Sequence, residues 1–242
     1  MTDDTSACCL SSVFIPILVI VTDFNHRYHP SSTIRHLSPM QIDLSKLHGR
    51  YVSLQLLQPE HIPQLKTLAK DERIWQYTRT LLIDSTYDEQ FERYISAAQD
   101  PRFSGMQVSF VMRDVQTNEI MGMTRYYKIE PSHKRLSIGY TWYIPEYWGR
   151  VHNKECKLLL LQYVFEELGY QRAEFEVAHQ NIRSQKAVAK IGGVKEAVLR
   201  KHGLHADGTV RDTVVFSIID DEWPQTKKNL LQLVEMEAPS KK

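Results

Sequence analysis

Glu174 and Glu176 lie two residues apart in a β-rich run, so they alternate toward one face, and His179 follows directly. A carboxylate so placed can act as a general base, a role worth roughly 10²–10⁴-fold in rate. A carboxylate pair on one strand is nevertheless more often a solvated face than a catalytic device. A second stretch, Trp148-Gly149-Arg150-Val151-His152-Asn153, stands between a run ending near Tyr143 and an apolar helical pattern beginning near Asn153. The start of a helix leaves backbone N–H groups unpaired and carries partial positive charge, so it draws phosphate. Arg150 and His152 add side-chain donors there, Lys154 lies in the first turn, and Asn153 is suited to cap the helix. The same loop can also be an ordinary strand–helix connection. Asn181 and Ser184 open a further helical run, where Asn181 is a good N-cap and Ser184 can complete the capping arrangement.

Other chemistries leave no trace. No C-x-x-C or H-E-x-x-H spacing occurs and the ten histidines are scattered, so no structural metal is expected. No G-x-S-x-G elbow supports serine hydrolysis, and no G-x-G-x-x-G follows a strand to hold a dinucleotide. Lys plus Arg is 30 against Asp plus Glu 29, a net charge of +1, without the basic excess of a nucleic-acid binder. The three cysteines, Cys8, Cys9 and Cys156, form no disulfide framework and point to a reducing, cytoplasmic compartment.

The elements that must position these residues follow from periodicity. Tyr51–Leu57 alternates as a strand, Pro59 opens a helix with Ile62, Leu65 and Leu68 at helical spacing, and Ser85-Thr86 opens another. That second helix carries Phe91, Tyr94, Ile95 and Ala98 on one face and ends at Asp100-Pro101. A meander follows: Gln107–Arg113, Glu119–Tyr127 and Arg135–Tyr143. Then come a helix over Asn153–Leu168, a strand over Arg172–Ala178 and a helix over Asn181–Ile191. Lys195–His202 and Val210–Ile219 flank the hairpin turn Asp207-Gly208, and an amphipathic segment runs from Trp223 to about Glu235. This order makes an α/β (α+β) mixed sheet, mostly antiparallel and twisted, with helices on both faces. Residues 1–39 read as a disordered extension before a domain spanning 40–242. The apolar stretch at 8–21 is too short for a membrane span, is interrupted by Pro16 and lacks a positive flank.

Three stretches resemble the GNAT superfamily of N-acyltransferases, its RimJ/RimL-like branch in particular. One is Ile138–Trp142 (IGYTW) with Pro145, Tyr147, Trp148, Gly149, Asn153-Lys154-Glu155 and KLLLLQYVFEELG; another is Gln180–Ser184 leading into AVAKIGG. The third is Leu199–His202 with Asp207-Gly208, Arg211-Asp212-Thr213, Ser217 and Trp223. The resemblance implies the GNAT fold and acetyl transfer from acetyl-CoA to a primary amine, either a protein N-terminus or a small molecule, with no metal. It places the coenzyme pyrophosphate on Trp148, Gly149, Arg150, Val151, His152 and Asn153. It places the pantetheine in a slot between the strands ending at Tyr143 and Ala178, on backbone groups of Thr141 to Ile144, with Tyr143 near the thioester carbonyl. Asn181 and Ser184 fall beside the pantetheine and the thiol. Homodimers are frequent in the family.

The chain departs from the family pattern at two points. The loop consensus Arg/Gln-x-x-Gly-x-Gly/Ala meets Trp148, Val151 and Asn153 here. A β-branched residue resists the positive φ that glycine allows, so either Gly149 supplies that freedom or phosphate binding is weakened. Many relatives carry a glutamate where this chain has Ser137, which leaves Glu176, Glu174 and Ser184 as the candidate catalytic groups. Arg79, Arg125, Glu130 and His133 could touch an acceptor, though no spacing argument stands behind any of them. The alternative to an enzyme is a non-catalytic coenzyme-binding or interaction module on the same fold.

Overall fold

The computed structural model describes residues 41–78, 83–100 and 106–237. The expectations for 1–39, for the apolar stretch at 8–21, for Cys8 and Cys9 and for Arg79 lie outside the described residues.

Seven strands form one sheet: β1 Val52–Leu56, β2 Val108–Asp114, β3 Ile120–Glu130, β4 Arg135–Tyr143, β5 Arg172–Ala178, β6 Val194–Leu204 and β7 Val210–Ile219. Their spatial order is β1-β2-β3-β4-β5-β7-β6. Every neighbouring pair is antiparallel except β4 and β5, which are parallel. The helices are α1 Ile62–Leu68, α2 Tyr87–Gln99, α3 Val151–Gln162, α4 Ile182–Lys190 and α5 Trp223–Met236. A π-helical turn, Tyr163–Glu167, prolongs α3. Among the described residues no helix is long and apolar enough to cross a membrane.

The sheet separates two cores. On one face α1 and α2 bury Leu65, Phe91, Tyr94, Ile95 and Ala98 against Val111, Ile120, Met123 and Trp142. These include all four residues expected on one face of α2. On the other, Leu160, Leu161 and Val164 meet Phe110, Tyr126, Leu136 and Phe175, and Leu230 and Val234 of α5 close the layer. The amphipathic C-terminal segment thus packs on its own domain, with Leu231 left exposed.

Several element boundaries shift by a residue or more from the periodicity reading, among them the end of β3 and the start of α3. β3 continues to Glu130 past a register shift between Tyr127 and Glu130, where Lys128 adopts a left-handed φ of 49°. The polar residue at that shift masks the strand's continuation. α3 begins at Val151, with Arg150 as its N-cap residue, so Asn153 lies inside the first turn and is not the cap. Val151 anchors this earlier start because its side chain is buried in the core. Glu155, one turn on, is also buried and accepts the backbone N–H groups of Arg50 (2.9 Å), Tyr51 (2.7 Å) and Val52 (2.7 Å). It ties the start of β1 to α3. A Cβ on Gly49 would lie 2.6 Å from the Glu155 carboxyl carbon, so this close approach requires glycine.

Candidate functional site

β4 and β5 pair only from Arg135–Ser137 to Arg172–Glu174; from Ile138 and Phe175 onward they part. The sheet therefore opens into a wedge on its parallel seam, and a cavity of about 1070 Å³ occupies it. The Ile144 N–H bonds Met121 on the β3 side, so the backbone groups of Tyr143 face the open side. The indole N–H of Trp148 bonds the Tyr143 carbonyl at 2.9 Å, which leaves the Tyr143 N–H turned toward the opening. The Tyr143 side chain itself is buried in the core.

At the outer end of the wedge lies the loop before α3. Gly149 has φ +75°, and a side chain there would meet nothing within 4 Å. Val151 sits in ordinary helical backbone with its side chain turned into the core. The positive φ falls at Gly149, and the Val151 side chain is outside the cavity lining. No side chain caps α3, so its first N–H groups remain available to a ligand. Arg150 lines the cavity, as does Arg183, whose guanidinium stacks 3.9 Å from the Trp148 ring centroid. Among the described residues neither arginine forms a salt bridge. Asn153 and Lys154 also line the cavity, and Lys154 pairs with Glu237.

His152 is corrected as a ligand donor. Its ring turns away from the cavity, bonds Asp114 through Nε2 at 3.0 Å and packs edge-on against Tyr147 and Tyr51. Burial pushes the imidazole below its ordinary pKa, more strongly than Asp114 raises it. The buried Nδ1 has no partner, as befits a neutral ring donating through Nε2. Its role is to fasten α3 to the β2–β3 turn.

The inner end of the wedge holds the polar groups. Asn181 caps α4, its side chain accepting the Ser184 N–H at 3.0 Å, and both residues line the cavity. Glu176 lines the cavity where β5 has left β4, and Lys128 pairs with it at 2.5 Å. Glu174 lies in the still-paired part of β5, outside the cavity lining, and bonds Arg172 at 2.6 Å. The two glutamates thus share a strand but not a site. The Thr141 hydroxyl meets that of Thr124 at 2.8 Å and accepts the Lys157 ammonium at 2.8 Å. Lys157 is buried at the base of the wedge, where desolvation lowers its pKa.

A third region is bounded by α2, β3 and β4. The β3–β4 register shifts between Met123–Trp142 and Arg125–Gly139, and within this bulge Tyr140 adopts a φ of +50°. A left-handed aromatic residue costs on the order of 1–2 kcal/mol, and such strain gathers at ligand sites. The Tyr140 ring lies against Tyr127 and over the guanidinium of Arg125, 4.2 Å from its centroid. Arg125 is buried, and its Nη1 bonds Gln107 at 3.2 Å. Glu130 and His133 instead bond each other and lie outside the cavity lining. Among the described residues lining the cavity, Glu176 is the one carboxylate, against seven Lys and Arg side chains.

Sequence reasoning missed Lys157, Glu155, Arg183 and the bulge at Tyr140. The first two leave a signal: they are charged positions embedded in the buried face of an otherwise apolar helix. Arg183 and Tyr140 leave none, because stacking on Trp148 and a left-handed backbone are tertiary outcomes.

A family model described as an acetyltransferase (GNAT) domain matches residues 52–194. The uncharacterized N-acetyltransferase YoaA of Bacillus subtilis (strain 168) is 34% identical over 103 residues, which are 43% of this chain and 57% of that protein. The chain thus spans less than two thirds of the length of that relative. A GCN5-related N-acetyltransferase from Brucella melitensis superposes with a TM-score of 0.69 at 28% identity, over 78% of this chain and 84% of that one. RimJ of Mycobacterium smegmatis, solved in complex with CoA-disulfide, has a TM-score of 0.63 at 18% identity over 75% of this chain and 88% of that one, a likeness of fold.

Proposed function

The chain belongs to the GNAT acetyltransferase family, and on that premise we propose that it is an N-acetyltransferase moving an acetyl group from acetyl-CoA to a primary amine, in the manner of the RimJ/RimL-like branch. The observation that carries this reading is the wedge between β4 and β5, open from Ile138 and Phe175 onward and flanked by the uncapped start of α3. On its β5 side the backbone of β4 there has no strand partner among the described residues, so an extended amide-bearing arm can pair with it. The pyrophosphate falls to the N–H groups at the start of α3, with Arg150 and Arg183 as counter-charges.

In the ternary complex the amine attacks the thioester carbonyl and the carbon–sulfur bond breaks. The Tyr143 N–H faces the opening and can stabilise the oxyanion. Glu176 accepts the amine's proton, directly or through water, and Lys128 balances its charge. Glu176 releases that proton to solvent, and the thiolate takes one up from solvent on the side where Ser184 lines the wedge. Glu174, bonded to Arg172 outside the cavity lining, takes no part in this step. The non-catalytic alternative drew on Val151 and Ser137. Val151 in helical backbone supplies no argument against phosphate binding.

Thiol release from acetyl-CoA with a panel of amines tests the reading. Turnover by the wild type, lowered about 10²-fold or more in kcat by Glu176→Gln, is expected. Coenzyme binding without turnover of any amine would favour the non-catalytic module.

A further inference from the structure

The acceptor end of the cavity holds an unanswered cation. Arg125 is 3% exposed, lines the cavity, and has no carboxylate partner among the described residues. Its Nη1 bonds Gln107 and the Tyr94 hydroxyl lies within hydrogen-bonding reach of the guanidinium, while Nε and Nη2 are buried and find no well-placed partner among the described residues. Those two atoms form the side-on edge of the guanidinium, the fork that meets both oxygens of one carboxylate. Tyr94 and Tyr140 hold the guanidinium plane from their ring faces, at 5.7 and 4.2 Å from their centroids. A buried, uncompensated guanidinium is costly to maintain unless a ligand supplies the missing anion.

We propose that Arg125 is the acceptor-recognition residue, and that the acceptor is a small amine which also carries a carboxylate, of the α-amino acid kind. This rests on the reading of the wedge as an acetyl-CoA site. Arg125 stands opposite Gly139 on the neighbouring strand, immediately beside Ile138, where the wedge begins. A carboxylate anchored there presents its amine toward the inner end of the wedge, where Glu176 lines the same cavity. Tyr140 lies over the guanidinium with an exposed side chain on left-handed backbone, so turning its ring opens the site to a ligand. The surroundings select against the opposite class of acceptor. Among the described lining residues Glu176 is the one carboxylate and is already paired with Lys128, so they offer a polyamine no anionic seat beyond the base itself.

The test measures kcat/KM for acetyl transfer to matched acceptors: phenylalanine and leucine, their primary amides, the decarboxylated amines phenethylamine and isopentylamine, and spermidine. Acetyl-CoA binding is measured separately by calorimetry. The wild type is expected to prefer each amino acid over its amide and amine by about 100-fold, since a site built to hydrogen-bond a group rejects analogues lacking it. The amides hold a larger neutral fraction of amine, so amine availability cannot produce the preference over them, and that comparison is the deciding one. Arg125→Met should bring the ratio to near unity and leave acetyl-CoA affinity unchanged. Arg125→Lys should recover part of the preference, because it restores charge without the fork. Wild-type preference for the amides, the plain amines or spermidine overturns the proposal, as does coenzyme binding with no turnover of any acceptor. Absence of coenzyme binding overturns the acetyl-CoA reading and this proposal with it. The wild-type comparison decides the matter even if a variant fails to fold.

Discussion

Val151 and His152 show how neighbouring residues in one loop divide their duties. Both sit where a coenzyme would meet α3, yet Val151 is a core residue in helical backbone and His152 is a buried tether to Asp114. Replacing Val151 with glycine, the residue usual in this family, should therefore not tighten coenzyme binding. It should lower stability by about 2–4 kcal/mol, from lost apolar burial and a glycine in the first helical turn, which denaturant unfolding would show. His152 carries a pH signature. Its folded pKa lies below the value of about 6.5 expected in the unfolded chain. Between those two values the unfolded chain binds more protons, so stability falls as pH drops through that window and is fully present above it. His152→Asn should remove that part of the slope in melting curves taken between pH 7 and 5. The Asp114 partner contributes at lower pH, because its pKa is held below 3.8 and its stabilisation is lost only on further acidification.

At the scale of elements, the junction between α3 and β1 rests on one carboxylate. Glu155 takes three consecutive backbone N–H groups, and nothing else among the described residues can replace it there. Glu155→Ala leaves those donors without their acceptor and should cost on the order of 3 kcal/mol or more, read from urea midpoints. Glu155→Gln, which keeps one acceptor oxygen, should cost less. Periodicity reads the elements well where burial follows a regular pattern. Arg135–Tyr143 and Arg172–Ala178 match the expected strands residue for residue, and the apolar face expected of α2 is buried. It fails at the two ends governed by tertiary contacts: the continuation of β3 past Lys128 and the start of α3 at Val151. A left-handed lysine and a valine in the first helical turn carry no local pattern, because each is held by the strand or core packed against it.

Across the molecule as described, the sheet opens at the parallel seam between β4 and β5, where pairing ends at Ser137 and Glu174, and the functional reading hangs on it. The sequence motifs pointed to that seam, and the residues expected around it divide in the structure. Asn181, Ser184, Glu176, Trp148, Gly149, Arg150 and Asn153 line one cavity, whereas His152 and Glu174 face elsewhere. The charge of the cavity was hidden, since a chain of net charge +1 gives no hint that seven Lys and Arg side chains stand against one carboxylate among the described residues lining one cavity. Binding of a polyanion in such a place should weaken as salt rises, because the mouth of the wedge is open to solvent and its arginines are screened.

Calorimetric titration of the full chain with desulfo-CoA, beside the double variant Arg150→Ala, Arg183→Ala, tests the wedge most directly. Saturable binding by the wild type with a Kd on the order of micromolar, weakened about tenfold or more in the double variant, is the result expected of two charge-assisted phosphate contacts. No saturable heat from the wild type, or equal affinity in both proteins, would contradict the assignment of the β4–β5 wedge and the start of α3 to the coenzyme.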